Sequence, residues 1–448
     1  MKSKFLIAII GAVFAVCAGV FGYAAWRVLR RPRAGAGLAG RVARDAVIIG
    51  SFDLRQVRAW QPALDARDAL TRPPATAPRA QREAAEKYAD FVRNCGVDPW
   101  QKLDAVQVAA DRAAIAGTDS STVVAFVDGT FAQPDADRCI RWIASQSQRV
   151  IAPTAVAGHT VLTPVRQGEQ PSARDTQFTL LGNSVMVTEQ RYTERAVAVV
   201  ERNAPALADD APLSQMMRRL GATTFLGAAA DVAELRARQA RTADEAIDSL
   251  VRANPGAPDL ALLRQARIGG IGLAVVSNNL AVTLRVEEPT AANAQALTNA
   301  CTTVVNARRT EALQALRQAK QAQGIMRITV GAAGGMAERF AAIDRGFDAG
   351  EQVLNQVACR AEGSDAILGL TVTQPQITAL QGALRAFSEV MEEAQRNNPL
   401  GGLLGGGRGG PSLGTPSLGG PLLDQGPAQG APSLGGPGGL QLPSPTAP

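Results

Sequence analysis

The chain has 448 residues, 46% of them apolar, and carries 46 Lys and Arg residues against 40 Asp and Glu residues. This length allows two domains plus tails, each large enough to bury its own core. Eight of the basic residues and only one acidic residue lie in residues 1–46, so the rest of the chain is close to neutral. Because only 4% of residues are aromatic, both charge and composition argue against a nucleic-acid partner, which needs a basic face and stacking platforms.

An uncharged apolar stretch opens the chain at residues 5–26, FLIAIIGAVFAVCAGVFGYAAW. As a helix rising about 1.5 Å per residue, it is roughly 33 Å long and crosses a hydrocarbon core of ~30 Å. We therefore predict that residues 1–26 form a signal-anchor transmembrane segment that contacts the membrane through residues 5–26. A signal peptide of similar length is the alternative. Residues 27–45 predict a basic, flexible linker.

The two flanks of this segment disagree about its orientation. Lys2 and Lys4 precede it, which is the pattern of an anchor with an exported body. Four arginines follow it within residues 27–33, and the positive-inside rule counts charges this close to the span in favour of a cytoplasmic body. The charges alone therefore leave the side of the membrane open.

Cysteine usage favours export. Outside the apolar stretch the cysteines are Cys95, Cys139, Cys301 and Cys359. Four cysteines allow three pairings, which the sequence does not decide, but 95 with 139 and 301 with 359 would staple each half separately. Disulfides persist outside the cytoplasm, so we expect a single-pass protein of the inner membrane with its body on the extracytoplasmic side. Four unpaired core thiols in a cytoplasmic protein are the alternative.

Residues 46–204 predict a first α/β module. An apolar strand at residues 46–53 leads into helices, the second of which begins near Arg79 and ends at Gly96. Strands at 106–110 and 122–127, a helix from Asp135, two hairpins and a helix at 193–203 follow in that order. The hairpins are predicted to turn at residues 158–159 and 182–183, as type II′ turns because glycine comes first. In the helix before Gly96, the spacing predicts a core-facing stripe formed by Tyr88, Phe91, Val92 and Cys95.

Residues 220–397 predict a second module built in the same order. A strand at 223–230 precedes Asp231, as the strand at 46–53 ends in Asp53, and both aspartates are predicted to cap helices. The remaining predicted elements are a hairpin at 270–286 turning at 278–279, a long helix capped by Thr290, a strand at 327–330, a helix from Met336, a strand at 366–373 and a helix at 376–395.

These elements predict a mixed α+β fold made of two similar modules, each a β-sheet with hairpins and with helices on one face. A single irregular α+β domain is the alternative. Residues 398–448 differ in character: Gly and Pro make up 26 of the last 50 residues, and PSLG occurs three times. Such a segment buries too little apolar surface to offset its ordering entropy, so we predict a disordered tail.

The search for chemistry is mostly negative. The single histidine, His159, is predicted in a hairpin turn, and no GxSxG elbow, P-loop or HExxH motif occurs. Glycines at 269–272 are predicted to allow close backbone packing, and those at 331–335 to form a structural turn between a strand and a helix. Trp100 is interpreted as a core anchor, with ligand stacking as the alternative. We expect no catalytic, cofactor-binding or metal-binding residues.

The apolar anchor, VIIGSFDLRQV, CGVDPWQKLDAV and the Gly/Pro-rich tail resemble membrane-anchored envelope proteins of GC-rich bacteria that have no assigned activity. The resemblance spans residues 1–200 and carries over no functional residue. From the predicted anchor, the predicted export and the lack of a catalytic motif, we expect a non-enzymatic binding or scaffolding protein of the bacterial envelope, without a cofactor and with an envelope protein as its partner. A carboxylate-dependent envelope hydrolase and a cytoplasmic-facing assembly factor are the alternatives.

Overall fold

The computed structural model describes residues 38–74, 79–112, 123–221, 224–330 and 336–397. The strands are β1 Ala46–Asp53, β2 Leu103–Asp111, β3 Val123–Gly129, β4 Arg149–Val156, β5 His159–Arg166, β6 Thr176–Leu181, β7 Ser184–Glu189, β8 Thr224–Asp231, β9 Ile268–Val276, β10 Asn279–Glu287, β11 Ala358–Glu362 and β12 Asp365–Val372. The helices are α1 Leu54–Arg58, α2 Gln61–Thr71, α3 Arg79–Cys95, α4 Pro99–Lys102, α5 Gln133–Ser145, α6 Gln190–Val200, α7 Pro212–Leu220, α8 Val232–Arg238, α9 Ala240–Ala253, α10 Ala291–Val330, α11 Met336–Gln356 and α12 Gln374–Asn397. Short 3₁₀ turns lie at Leu38–Arg41 and Pro258–Arg264.

All the strands of these ranges join one antiparallel sheet in the order β11-β12-β10-β9-β8-β1-β2-β3-β7-β6-β5-β4. Strands β1–β7, from the predicted first module, form one contiguous half of the sheet, and β8–β12 form the other. The halves meet where β1 pairs with β8, with Gly50 opposite Ala228. The mixed α+β class is thus observed, as a single continuous sheet.

Helices cover both faces of this sheet, so the prediction of helices on one face is wrong. In β3, Ala125 and Val127 belong to a core shared with α5, whereas Phe126 between them belongs to a second core that contains residues of α6 and α7. Successive side chains of a strand point to opposite faces. An apolar run such as that of β3 therefore marks a strand buried on both sides.

Two of the three hairpin turns lie one residue earlier than predicted. The β4–β5 loop is Ala157 and Gly158, with φ 48° and 83°, and the β9–β10 loop is Ser277 and Asn278, with φ 49° and 68°. Positive φ at both loop positions defines a type I′ turn, whose twist matches that of the flanking strands. The β6–β7 loop is at the predicted position, and its first residue, Gly182, has φ 68°.

The predicted strand at residues 327–330 is wrong, because these residues are the last turn of the 40-residue helix α10. Three of these four residues are of the β-branched types Ile, Thr and Val, which favour a strand locally, but α10 packs along α11 at this end. Gln323 Nε2 donates to the Phe340 backbone oxygen at 3.2 Å, and Arg327 Nη2 donates to Asp344 Oδ2 at 2.7 Å. Tertiary packing thus overrides propensity. The glycines at 331–335, which were predicted to follow this strand, lie outside the described residues.

The glycines of β9 allow close packing, as predicted. A Cβ atom at Gly270 would lie 2.7 Å from Met216 Cγ, and one at Gly272 would lie 3.3 Å from Leu220 Cβ. Met216 and Leu220 both belong to α7, so α7 lies directly on the backbone of β9. Side chains larger than hydrogen would lift this helix off the sheet.

Two disulfides are present, each within one half of the sheet. Cys95–Cys139 joins the end of α3 to α5 with a Cα–Cα distance of 4.2 Å, and Cys301–Cys359 joins α10 to β11 with a distance of 6.1 Å. Within the described ranges, no helix is both long enough and apolar enough to cross a bilayer. The apolar stretch at 5–26 and the tail at 398–448 lie outside those ranges.

Candidate functional site

An apolar cavity of about 300 Å³ lies between helices α2, α3 and α4 and the sheet. It is lined by Leu54, Ala63, Ala66, Arg67, Leu70, Tyr88, Pro99, Trp100 and Leu103. Of these residues only Leu103 is buried, whereas most of the others, including Trp100, are half-buried. The cavity therefore leaves apolar surface uncovered, which is the usual character of a ligand site.

Local sequence rules place the helix that forms one wall. Asp53 ends β1, and its carboxylate accepts a hydrogen bond from the Arg55 backbone nitrogen, which caps α1 as predicted. Helix α2 follows with a proline in its first turn. Its residues Ala63, Ala66 and Leu70 recur at helical spacing, so they share one face, and that face lines the cavity.

Asp98 forms hydrogen bonds to two of the residues that line the cavity, Tyr88 and Trp100. Its Oδ1 accepts a hydrogen bond from the Tyr88 hydroxyl at 2.5 Å and another from the Trp100 backbone nitrogen at 2.9 Å. Asp98 thereby caps the short helix α4 and fixes α3 to it. Burial and the hydrogen bond to Asp98 raise the pKa of Tyr88 well above its usual value. The phenol therefore stays neutral and keeps donating to the carboxylate.

Helix α3 is fastened at the end that lies beside the sheet. Cys95 forms the disulfide with Cys139, Phe91 packs edge-on against Trp142 with ring centres 5.7 Å apart, and Arg138 Nε donates to the Cys95 backbone oxygen at 3.1 Å. Tyr88 lies one and two turns from Phe91 and Cys95, respectively. The disulfide therefore fixes the helix that carries the tyrosine of the cavity.

One basic residue, Arg67, is among those that line the cavity. The Nε atom of Arg67 is buried and has no hydrogen-bond partner, and Arg67 forms no ion pair with any residue in the described part of the chain. Asp65, two positions away on α2, accepts instead from Gln61 at 2.7 Å. The accessible surface of the cavity is almost entirely apolar.

A second polar centre, distant in the sheet order, is a buried ion network. Asp365 Oδ2 accepts from Arg285 Nη1 at 2.6 Å, and its Oδ1 accepts from Arg219 Nη1 at 2.8 Å. Arg219 also pairs with Glu287. Glu288, the next residue after Glu287, is fully buried, and neither of its carboxylate oxygens has a hydrogen-bond partner among the described residues. Burial raises the pKa of Glu288 to about 7.

The other residues singled out in the sequence do not gather at one place. His159 is the first residue of β5, and its Nε2 lies 2.8 Å from Glu201 Oε1. Asp231 caps α8 by accepting from the Glu234 backbone nitrogen, as predicted. Among the described residues no cluster of three or more His, Cys, Asp or Glu residues could hold a metal ion.

The cavity was not predicted. Trp100, interpreted as a core anchor, is half-buried and lines the cavity. Tyr88 is predicted in the core stripe with Cys95, but it is half-buried and lines the cavity, whereas Cys95 is fully buried. The available signal was the small-residue face of α2, where alanines at 63 and 66 leave space that larger side chains would fill.

Comparison with known proteins assigns no family. No family model matches the chain, and no curated protein matches it. Among solved structures, crystal form I of TP0453 is 10% identical with a TM-score of 0.33, covering 79% of this chain and 99% of that chain. Crystal form III of TP0453 is 12% identical with a TM-score of 0.33, covering 78% and 100%.

Proposed function

We propose that this chain is a membrane-anchored binding protein of the bacterial envelope, with its folded body outside the cytoplasm and its ligand site in the cavity beneath α2 and α3. The cavity is the observation that carries the binding function. Its walls come from several elements of the fold, and its volume of about 300 Å³ is at the lower end of the roughly 300–1,000 Å³ typical of ligand pockets. The extracytoplasmic location is supported by the two disulfides.

Binding in this cavity is favourable because a ligand would cover half-buried apolar side chains. Each square ångström of apolar surface removed from water contributes about 25 cal/mol. The site would therefore accept an apolar body, and the envelope partner predicted from the sequence would receive or supply that ligand. A protein of this kind needs no catalytic group.

The binding function is tested with N-phenyl-1-naphthylamine, an uncharged apolar dye that becomes fluorescent on leaving water. We expect saturable binding to the purified protein and its loss in Ala63→Phe, which fills the cavity. Ala246→Phe is the matched control, because Ala246 is an exposed residue of α9. Equal dye binding by both variants would contradict a ligand site in this cavity.

The location is tested by trapping thiols in cells that express the full chain. Alkylation of the denatured, unreduced protein followed by mass analysis should find Cys95, Cys139, Cys301 and Cys359 unmodified. Four alkylated cysteines would rule out an exported body. Protease treatment of spheroplasts should also digest the folded body from outside.

We also propose that the two halves of the sheet are related modules that arose by duplication. Each half of the sheet begins with a strand that ends in a helix-capping aspartate, Asp53 or Asp231. In each half the helix after the third strand carries a disulfide cysteine, Cys139 or Cys301. An experimental structure in which β1-β2-β3 fails to superpose on β8-β9-β10 would argue against duplication.

A further inference from the structure

The described lining of the cavity gives a ligand almost nothing to hydrogen-bond to. The Tyr88 hydroxyl is engaged with Asp98, whose Oδ1 also accepts from the Trp100 backbone nitrogen. The Nε atom of Arg67 is buried and so is closed to a ligand. Because the accessible surface is almost entirely apolar, Arg67 contributes its hydrocarbon stem to the wall. A polar atom brought into the cavity would therefore lose water without gaining a partner, which is unfavourable.

The cavity is also open to solvent. Ala66 of its lining is exposed, and Leu54, Ala63 and Leu70 are only half-buried. A ligand therefore does not have to fit inside as a whole, because its apolar part can enter while its polar part stays in water at the opening. An apolar lining and an open side together fit a molecule whose polar atoms are confined to one end.

We infer that the cavity binds one hydrocarbon chain of an amphiphile, with the polar head outside in water, and that it selects by chain length and not by head charge. This inference rests on the proposed binding function and names the ligand class. The volume of about 300 Å³ is small for a ligand pocket, which favours one chain over two. At the location proposed above, fatty acids and phospholipids both supply such chains.

Helix α2 sets the length of chain that fits. Ala63, Ala66 and Leu70 share the face of α2 that lines the cavity, so the size of these side chains fixes the free space. Leu70→Ala removes an isopropyl group from the wall and should enlarge the cavity. Leu64→Ala is the matched control, because Leu64 is a half-buried residue of the same helix that does not line the cavity.

Chain length is tested by displacing N-phenyl-1-naphthylamine from the full-length protein with alkanols from hexanol to tetradecanol, each below its aggregation concentration. Displacement that also occurs in Ala63→Phe is subtracted, because it reports partitioning outside the cavity. Affinity should rise about fourfold with each methylene group until the chain fills the cavity, and should then level off. An affinity that is independent of length, or that rises without levelling, would contradict selection by length.

Head charge is tested at one chain length. Dodecanol, dodecanoate and dodecyltrimethylammonium should bind within about threefold of one another, because each head keeps its water. A larger difference in either direction would show that the head contacts the protein and would overturn the inference. Lauroyl lysophosphatidylglycerol distinguishes the sources. If it displaces the dye as dodecanoate does, a phospholipid can supply the chain, whereas displacement by dodecanoate alone limits the source to free fatty acids.

Leu70→Ala tests the role of α2 through a gain that misfolding does not produce. Its affinities should level off at a longer alkanol than those of the parent protein, whereas Leu64→Ala should leave this point unchanged. The same levelling point in Leu70→Ala and the parent, or an equal shift in Leu64→Ala, would contradict the inference. Urea unfolding of each variant shows whether the fold is kept.

The outcomes separate this inference from the proposed function. A preference for one head charge that disappears in Ala63→Phe would reject selection by chain length alone and keep the cavity as the site. If Ala63→Phe binds the dye and the alkanols as well as the parent protein does, the cavity is not the site, and both proposals fail.

Discussion

Asp365 joins two arginines from different parts of the chain, Arg285 of β10 at 2.6 Å and Arg219 of α7 at 2.8 Å. The Asp365 and Arg285 side chains are only 2% and 10% exposed. Removing the carboxylate would leave the buried Arg285 and the partly buried Arg219 with fewer partners. Asp365→Ala should therefore lower the free energy of unfolding by about 3 kcal/mol, measured by urea denaturation at neutral pH.

Glu362 provides the comparison, because it also pairs with Arg285 but is 47% exposed. Glu362→Ala should cost less than about 1 kcal/mol, as is usual for exposed ion pairs. Equal losses in the two variants would show that burial does not set the strength of this network.

The buried carboxyl of Glu288 should make stability depend on pH. Burial raises its pKa from 4.5 to about 7, so the folded protein binds this proton more tightly than the unfolded chain. The free energy of unfolding should therefore fall as pH rises from about 4.5 to about 7, by up to about 3 kcal/mol. Glu288→Gln should flatten this part of the profile and stabilise the protein at pH 8. Glu338→Gln, at an exposed position of α11, is the matched charge control.

Two glycines of α11 should respond to alanine in opposite directions. A Cβ atom at Gly346 would lie 2.1 Å from Ala383 Cβ of α12, whereas at Gly350 the nearest atom is Leu316 Cδ1 at 3.9 Å. Gly346→Ala should destabilise the protein by forcing α11 and α12 apart. Gly350→Ala should stabilise it by up to about 1 kcal/mol through helix propensity. Thermal unfolding of both variants checks the difference in sign.

The two disulfides should differ in their effect on the cavity. Replacing either pair by alanine should cost about 2–4 kcal/mol of stability. Only the loss of Cys95–Cys139 should also weaken dye binding, because that bond fastens the helix that carries Tyr88. The variant that lacks Cys301–Cys359 is the control. A larger loss of dye binding in this variant than in the variant that lacks Cys95–Cys139 would contradict the assignment of the site.

Much of the element order could be predicted because its signals are local. Apolar runs ending in Asp53 and Asp231 mark strands followed by capped helices, and Thr290 caps α10 by accepting from the Asn293 backbone nitrogen. The exact positions of the turns were harder to predict from the sequence. Ala157 and Ser277 adopt positive φ, which neither residue type favours alone. The surrounding strand pairing imposes it.

The rest depends on contacts distant in sequence. The last turn of α10 is helical because Arg327 and Gln323 contact α11. The sequence of residues 327–330 does not indicate these contacts. The cavity likewise arises where faces of three helices meet. Periodicity placed Tyr88 on an inward face but could not tell a packed interior from a space left open to a ligand.

Because β1 lies at the centre of the sheet, it cannot be paired on both sides until late in synthesis. This strand is among the first parts of the body to be made, yet one of its two partners is β8, where Gly50 meets Ala228. Until β8 has been translated, the edge of β1 that faces β8 over residues 48–52 has no strand to pair with. Unpaired edges on a growing chain invite association with other chains. A protein built this way would gain from a chaperone that shields the nascent first half until its second half arrives.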